Sequence, residues 1–538
     1  MRRTSALPLI LGLAMSMAAA ASAADWPQWG GRNERNFASD EKNLPLHFRP
    51  ASEKTEGDQK ISIPAENIKW VAKLGNQTYG NPTVANGRVF IGTNDANFSD
   101  DRLKKSQGGL ILCLDEATGK LLWQLPVPRL RTKNSSFNFD NINLGICSSP
   151  TVDGDCVYLT SNRAEVLCLS IFGQAKGNQG PFKDEGRYMA AAAELPDKPG
   201  RFDPAVAPPP PAPVELRPTD GDILWLFDSL AELDCWPQDA VDCSVLVHGD
   251  YVYTCPSNGV DKSHKNIPSP NCPDLVVLDK KTGKLLAKND PVVGRATFHG
   301  EWSSPTLAKA GDRTLIVWGG GDGFCYAFDP RFEPGEDGRP GLLKQVWKFD
   351  CNTPALRLRD GKPLLYNKNH EGPSEVIGTP VFYKGRLYVT VGQDSRHGNG
   401  PGCLSCIDPT KTGDITETGK VWKYEQIHRS FSTVSAYEGL IYAADYAGIV
   451  HCLDADTGQC YWTHDLGAHT WASTLAADGK VYIGDEKGKL TILAASKEKK
   501  VLNEIQFDAP LYSSPIVAAG VLYITSQTHL YAVKETAK

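Results

Sequence analysis

The chain has 538 residues, with 57 Lys and Arg against 63 Asp and Glu and a formal net charge of −6. Both signs are mixed along its length, so it carries no basic stripe for a phosphate backbone, and nucleic acid is not an expected partner. Past the first two dozen residues no run approaches the ~18 uninterrupted apolar residues of a membrane-spanning helix.

In chain order, Met1-Arg2-Arg3, the apolar LPLILGLAMSMAAAA and the small residues Ala21-Ser22-Ala23 form the charged start, apolar middle and cleavage site of a secretory signal. Residues 1–23 are therefore expected to be removed, giving a periplasmic or secreted protein. With no Cys at the cleavage point, no lipid anchor is expected. Residues 24–65 read as an N-terminal extension.

From about residue 66 to 535 the sequence repeats itself. GNPTVANGRVFIG from Gly80, SSPTVDGDCVYLT from Ser148 and six later variants each give two short β-rich stretches around a Gly-containing turn. A third strand follows, such as GIVHCLD, and then a turn and a fourth strand that commonly ends in Trp. The aligned Val434, Thr474 and Pro515 lie 40 and 41 residues apart, the length of a bare four-stranded propeller blade. The expected fold is all-β: a single eight-bladed β-propeller of four-stranded antiparallel blades. The last blade lacks a fourth strand, and Ile68-Lys69-Trp70-Val71 has the form of the missing one, so an N-terminal strand is expected to close the ring.

CLDEATGKLLW (Cys113–Trp123) and CLDADTGQCYW (Cys452–Trp462) are nearly the same phrase. Its Asp and Thr-Gly fit a turn in which Gly takes positive φ, and its Trp, recurring as Trp225, Trp347 and Trp422, fits a ring wedged between blades. Cys113, Cys168, Cys406 and Cys452 read as small core residues in this setting. Cys255 and Cys272 flank an insertion and could be bridged, with Cys235/Cys243 and Cys452/Cys460 as weaker pairings.

Long loops between second and third strands (blades 1, 3 and 5) and between blades (after 1 and 4) emerge on one face, which is expected to be the functional one. The blade 2 insertion, 171–218, lies opposite and contains the stiff AVAPPPPAPVE. At the start of the innermost strands stand Tyr79, Cys147, Asp242, Trp302, Ile377, Phe431, Trp471 and Tyr512. The aromatic members could stack a planar or sugar-like ligand at the channel mouth, or simply plug it. His299, Glu301, His428, Arg429 and His469 are neighbours on the same approach, and His370-Glu371 precedes blade 5. Imidazoles with a carboxylate could act as an acid–base pair or hold a metal, but no H-x-x-x-H or H-E-x-x-H helix is present and no metal site is expected. Gly319–Gly323 reads as a tight hairpin rather than a phosphate loop, and Asn94–Asn97 as a solvated turn.

The repeats resemble the pyrroloquinoline-quinone-type propeller family, whose A-x-D-x-x-T-G-x-x-x-W phrase stands here with Cys113 or Cys452 in place of Ala. DWPQWGG from Asp25 is also similar to the start of exported bacterial proteins with such repeats. The resemblance implies one of two functions. The first is a binding or scaffold protein of the cell envelope, a monomer acting through its loop-rich face on a protein partner or a small ligand, as in the propeller lipoprotein of outer-membrane β-barrel assembly. The second is a dehydrogenase using pyrroloquinoline quinone and calcium to oxidise an alcohol or sugar. In that case Glu301 or Asp242 would be the carboxylate base and Trp302 or Trp471 the stacking floor. The adjacent-cysteine pair and the C-x-x-C-H haem site found in such enzymes are both absent here.

Overall fold

The computed structural model describes residues 24–535 apart from 57–58, 130, 133–142, 191–193, 196–211, 292, 294 and 367–370. The expected signal, the centre of the loop after blade 1, much of the blade 2 insertion and His370 lie outside the described residues.

Eight antiparallel sheets of four principal strands surround a central axis. Blade 1 comprises Thr83–Ala85, Arg88–Asn94, Gly109–Asp115 and Leu121–Val127. The innermost strands of blades 2 to 8 begin at Thr151, Leu246, Thr306, Val381, Ser435, Leu475 and Ile516. In blade 8 the outer strand is Ile68–Lys73, antiparallel to His529–Val533 with Trp70 opposite Ala532. The ring is closed by the front of the chain, as the truncated last repeat predicts.

Three sheets exceed four strands. Gly341–Leu343 and Gly413–Asp414 add parallel to the outer strands of blades 3 and 4, and Ala38–Ser39 adds parallel to the innermost strand of blade 7. Among the described residues no helix is long and apolar enough to cross a membrane.

The repeated phrase builds the same turn each time. Asp115 Oδ1 accepts from the amide and hydroxyl of Thr118 at 2.8 and 2.6 Å. Asp279 with Thr282 and Asp454 with Thr457 repeat the arrangement. The glycines that follow, Gly119, Gly283 and Gly458, have φ of 70°, 71° and 73°. Each meets the Trp of the preceding blade: a Cβ on Gly119 would stand 2.6 Å from the Trp70 ring, and one on Gly458 2.6 Å from Trp422. The indoles then donate across the seam, Trp70 to Glu116 O at 2.9 Å and Trp422 to Ala455 O at 3.1 Å. Glycine is needed there twice over, for its backbone conformation and for the flat contact.

Residues 24–41 are not a loose extension. They cross the end of the channel away from the loop-rich face and bond to the inner strands of every blade. Trp26 pairs with Val84, and Pro27 and Asn33 accept from Val152 and Leu307. Glu34, Phe37 and Ala24 accept from Phe382, Ala476 and Ala519. Asn36 bonds Ala436 in both directions. Arg35, fully buried, donates to Val245 O at 2.9 Å and Pro305 O at 2.8 Å, completing the circuit through blades 3 and 4. It also reaches Gln28 Oε1 and Trp29 O, and burial pulls its pKa down to about 10.

The fourteen thiols are unbridged. Cys255 does not join Cys272. Its sulfur lies 3.6 Å from Glu301 Oε2 and its amide faces Cys243 Sγ, while the thiol beside Cys272 is that of Cys235. Cys113, Cys168, Cys406 and Cys452 are buried core residues, as their place in the repeat suggests. Gly319–Gly323 is a hairpin between Arg313–Gly319 and Phe324–Phe328. Asn94–Asn97 is solvated only at its far end: Asn94 is fully buried and Asp95 nearly so, while Asn97 is exposed and its Nδ2 donates to the carbonyls of Leu74 and Gly75.

Candidate functional site

Two residues past each collar residue, on the approach to the inner strand, stands a small polar residue, and these eight form a hydrogen-bonded girdle. The amide of Asn81 donates to Ser149 Oγ, that of Ser149 to Ser244 Oγ, and that of Ser244 to Ser304 Oγ. On the other side, Thr379 donates to Thr433, Thr433 to Ser473, Ser473 to Ser514 and Ser514 to Asn81 Oδ1. The link from Ser304 to Thr379 is not made. There Trp29 rises from the N-terminal plug and donates its Nε1 to Thr379 Oγ1 at 3.1 Å.

The channel is thus a cup and not a tube. Trp29 is its floor, the girdle its lower wall and the collar its upper wall, around a cavity of about 270 Å³. All eight collar residues, each four positions before its inner strand, line the cavity with the loop residues above. Tyr79 and Tyr512 stack at 5.1 Å and 11°, and Phe431 and Trp471 at 4.8 Å and 27°. The Trp471 indole is pinned by Glu486 and that of Trp302 by Ala240 O. These rings are oriented by packing and by hydrogen bonds at their polar ends, which leaves their faces as a pre-formed wall.

The polar candidates divide. Asp242 lines the cup, and burial raises its carboxyl to about 6. His299 lines it as well, with burial lowering its imidazole to about 3. Glu301 does not line the cavity. It is fully buried behind the collar between Cys255 and the Asp274 region, where desolvation lifts its pKa well above the usual range. Strand alternation explains the reversal: neighbours along an extended strand point to opposite sides, so Trp302 faces the channel and Glu301 the blade.

His428, Arg429 and His469 are also away from the cavity. His428 Nδ1 sits 2.9 Å from Asp445 Oδ2, which His451 shares at 3.2 Å. Arg429 is buried under the blade 5 loop and donates to His397 O at 3.0 Å. His469 Nδ1 faces Tyr446 O at 2.8 Å, its ring flat on that of Tyr446. Glu371 is exposed and pairs with Arg359 on the rim.

Three contributors escaped the sequence reading: Trp29, Asp239 and Asp394. Trp29 lies outside the repeats, and its Trp-Gly-Gly context was the available signal. Asp239 and Asp394 stand in loops of the crowded face, where no period marks them. Around the cup Asp239, Asp242 and Asp394 face one guanidinium, Arg396.

Residues 446–537 match the sequence family described as outer membrane protein assembly factor BamB. A stretch of 134 residues is 25% identical to the quinohemoprotein alcohol dehydrogenase of Comamonas testosteroni, covering 21% of this chain and 18% of that enzyme. The fold is similar to BamB from Moraxella catarrhalis at TM-score 0.50 and 14% identity, over 88% of this chain and 98% of that one. It is similar to a europium-containing methanol dehydrogenase at TM-score 0.53 and 10% identity, over 95% and 98%. The chain is an eight-bladed propeller that resembles, over residues 446–537, an outer-membrane assembly factor family and shares its fold with BamB and with a methanol dehydrogenase.

Proposed function

We propose that this protein is a binding protein of the cell envelope that takes a small flat or ring-shaped ligand into the cup through its loop-rich face. The observation that carries this reading is the blind end. A channel sealed by Trp29 below and walled by stacked rings above is a concave, largely apolar site with a few polar groups, the usual form of a small-ligand pocket. An assembly scaffold would need no such floor.

The test is quenching of indole fluorescence, since Trp29, Trp302 and Trp471 all line the cup. Methyl glycosides, nucleobases and pyrroloquinoline quinone, each with and without calcium, are the probes. Saturable quenching by one class, weakened at least about tenfold in Trp471→Ala, supports the reading. A flat response across the panel overturns it.

The dehydrogenase reading draws on the likeness to quinoproteins and on Asp242 in the wall. The stacking faces suit a planar quinone. The charges do not: pyrroloquinoline quinone is a tricarboxylate, and the described lining sets three aspartates against Arg396, and the sequence holds no adjacent-cysteine pair. No catalytic step is therefore assigned through it. Dye-linked oxidation of an alcohol or sugar after loading with quinone and calcium would reverse that judgement.

A further inference from the structure

We propose that Asp239, His299 and Asp394 form a site for one divalent first-row transition-metal ion, of the Zn(II) type, in the wall of the cup. One ligand atom from each residue lies within 4.8 Å of the others. His299 was among the imidazoles that could hold a metal, but its two carboxylate partners carry no sequence signal, because the three come from separate loops and strands and meet only in the closed ring.

His299 makes the cluster more than a group of acids. Its side chain is 1% exposed, and among the described residues neither ring nitrogen has a hydrogen-bond partner. A buried donor or acceptor left unmade is destabilising, so a fully dry imidazole with two idle nitrogens calls for an occupant. The ring cannot easily turn to find one elsewhere. Trp302 meets it edge-on at 5.1 Å and 70°, and the His264 ring covers it at 4.6 Å and 33°. Its Nε2 stands 3.5 Å from Asp394 Oδ2, beyond an ordinary hydrogen bond. Asp394 meanwhile spends Oδ1 on the amide of Arg396 at 2.8 Å, which holds Oδ2 toward the ring.

The donor set selects the ion. Calcium takes about 6–8 oxygens, and magnesium keeps most of its water, so neither gains from an imidazole. One neutral imidazole with two carboxylates suits Zn(II) and its neighbours. Bonds of about 2.0–2.2 Å would draw the three atoms to roughly 3.4 Å apart, a contraction within reach of side-chain rotation. Three protein ligands leave a fourth position, and all three residues line the cup, so that position opens into it. The ion would give the proposed ligand an anchoring point for an oxygen or nitrogen. The site rests on that reading only for its use and not for its existence, because the metal can be measured with no organic ligand present.

The test is equilibrium dialysis of the metal-stripped protein against Zn(II), Mn(II) or Ca(II) alone, with Co(II) as a spectroscopic probe. Expected are one equivalent of Zn(II), visible Co(II) bands, and a loss of affinity in Asp394→Asn beyond the ~10–100-fold typical of a merely supporting residue. His299→Ala should behave likewise. Should it fail to fold, Asp239→Asn takes its place, with thermal melting as the check on each variant. His428→Ala, outside the cup, should bind as the parent does. Absence of stoichiometric Zn(II) uptake, a preference for Ca(II), or unchanged Zn(II) affinity in both aspartate variants would overturn the proposal.

Discussion

Trp29 Nε1 donates to Thr379 Oγ1 at 3.1 Å, at the one break in the hydroxyl girdle between Ser304 and Thr379. The plug and the ring are thereby one structure, and Trp29→Ala should destabilise the whole propeller by about 2–3 kcal/mol, short of the ~3–5 kcal/mol of a fully buried ring because Trp29 is only partly buried. Trp29→Phe keeps the floor and loses the bond, so it should cost only about 0.5–1.5 kcal/mol. Urea unfolding monitored by far-UV circular dichroism distinguishes the two. Near-equal effects would mean that the plug is not integral.

Two glycines of almost the same conformation make a controlled pair. Gly87 has φ 72° with nothing within 4 Å of a built Cβ, whereas at Gly119, φ 70°, that atom would press on the Trp70 ring. Gly87→Ala should cost about 1–2 kcal/mol for the left-handed backbone alone. Gly119→Ala should cost about 1–3 kcal/mol more through overpacking. The comparison is read from paired thermal melts, and equal losses would refute the contact argument.

Burial raises Asp242 from 3.8 to about 6. The folded state therefore holds this proton more tightly than the unfolded chain, so the contribution of Asp242 to stability falls as pH rises from about 4 to about 6. Asp242→Asn has no such loss and should gain on the parent across that window, by at most about 3 kcal/mol. Denaturation midpoints of both proteins at pH 4, 5, 6 and 7 measure the difference. A constant offset would contradict it.

Cys156 is only partly buried, and its hydrogen bond with Cys168 brings its thiol down to about 7. Most of the other thiols are buried in apolar surroundings that push them up, Cys113, Cys403 and Cys452 among them. Brief iodoacetamide treatment of the native protein at neutral pH should label Cys156 first, because the thiolate is the reactive form. Peptide mapping by mass spectrometry gives the order. Prior labelling of Cys113 would show that the seam beside blade 1 is open.

The ring was legible because each blade writes the same local instructions: β-rich hairpins, the Asp-Thr-Gly turn, and a Trp at a fixed distance. Even the closing strand could be read, since Trp70 supplies what the last repeat lacks. The plug was not, because Trp26, Trp29 and Arg35 satisfy no period, and their ring partners, Val84, Thr379, Val245 and Pro305, stand on four different blades. The collar could be placed from strand starts, but side-chain direction decided its neighbours: Glu301 turned into the blade while His299 faced the cup. Asp239 and Asp394 become partners of His299 only through curvature that no local pattern encodes.

Trp70 and Ala532 face each other across the final seam although they are 462 residues apart in the chain. A ribosome delivers the first of them long before the second, so the emerging polypeptide must hold an unmatched strand and an unseated hub until His529–Val533 is made. Closure thus waits on His529–Val533: a variant lacking that strand would leave Ile68–Lys73 without its partner and the ring of wedges without its keystone.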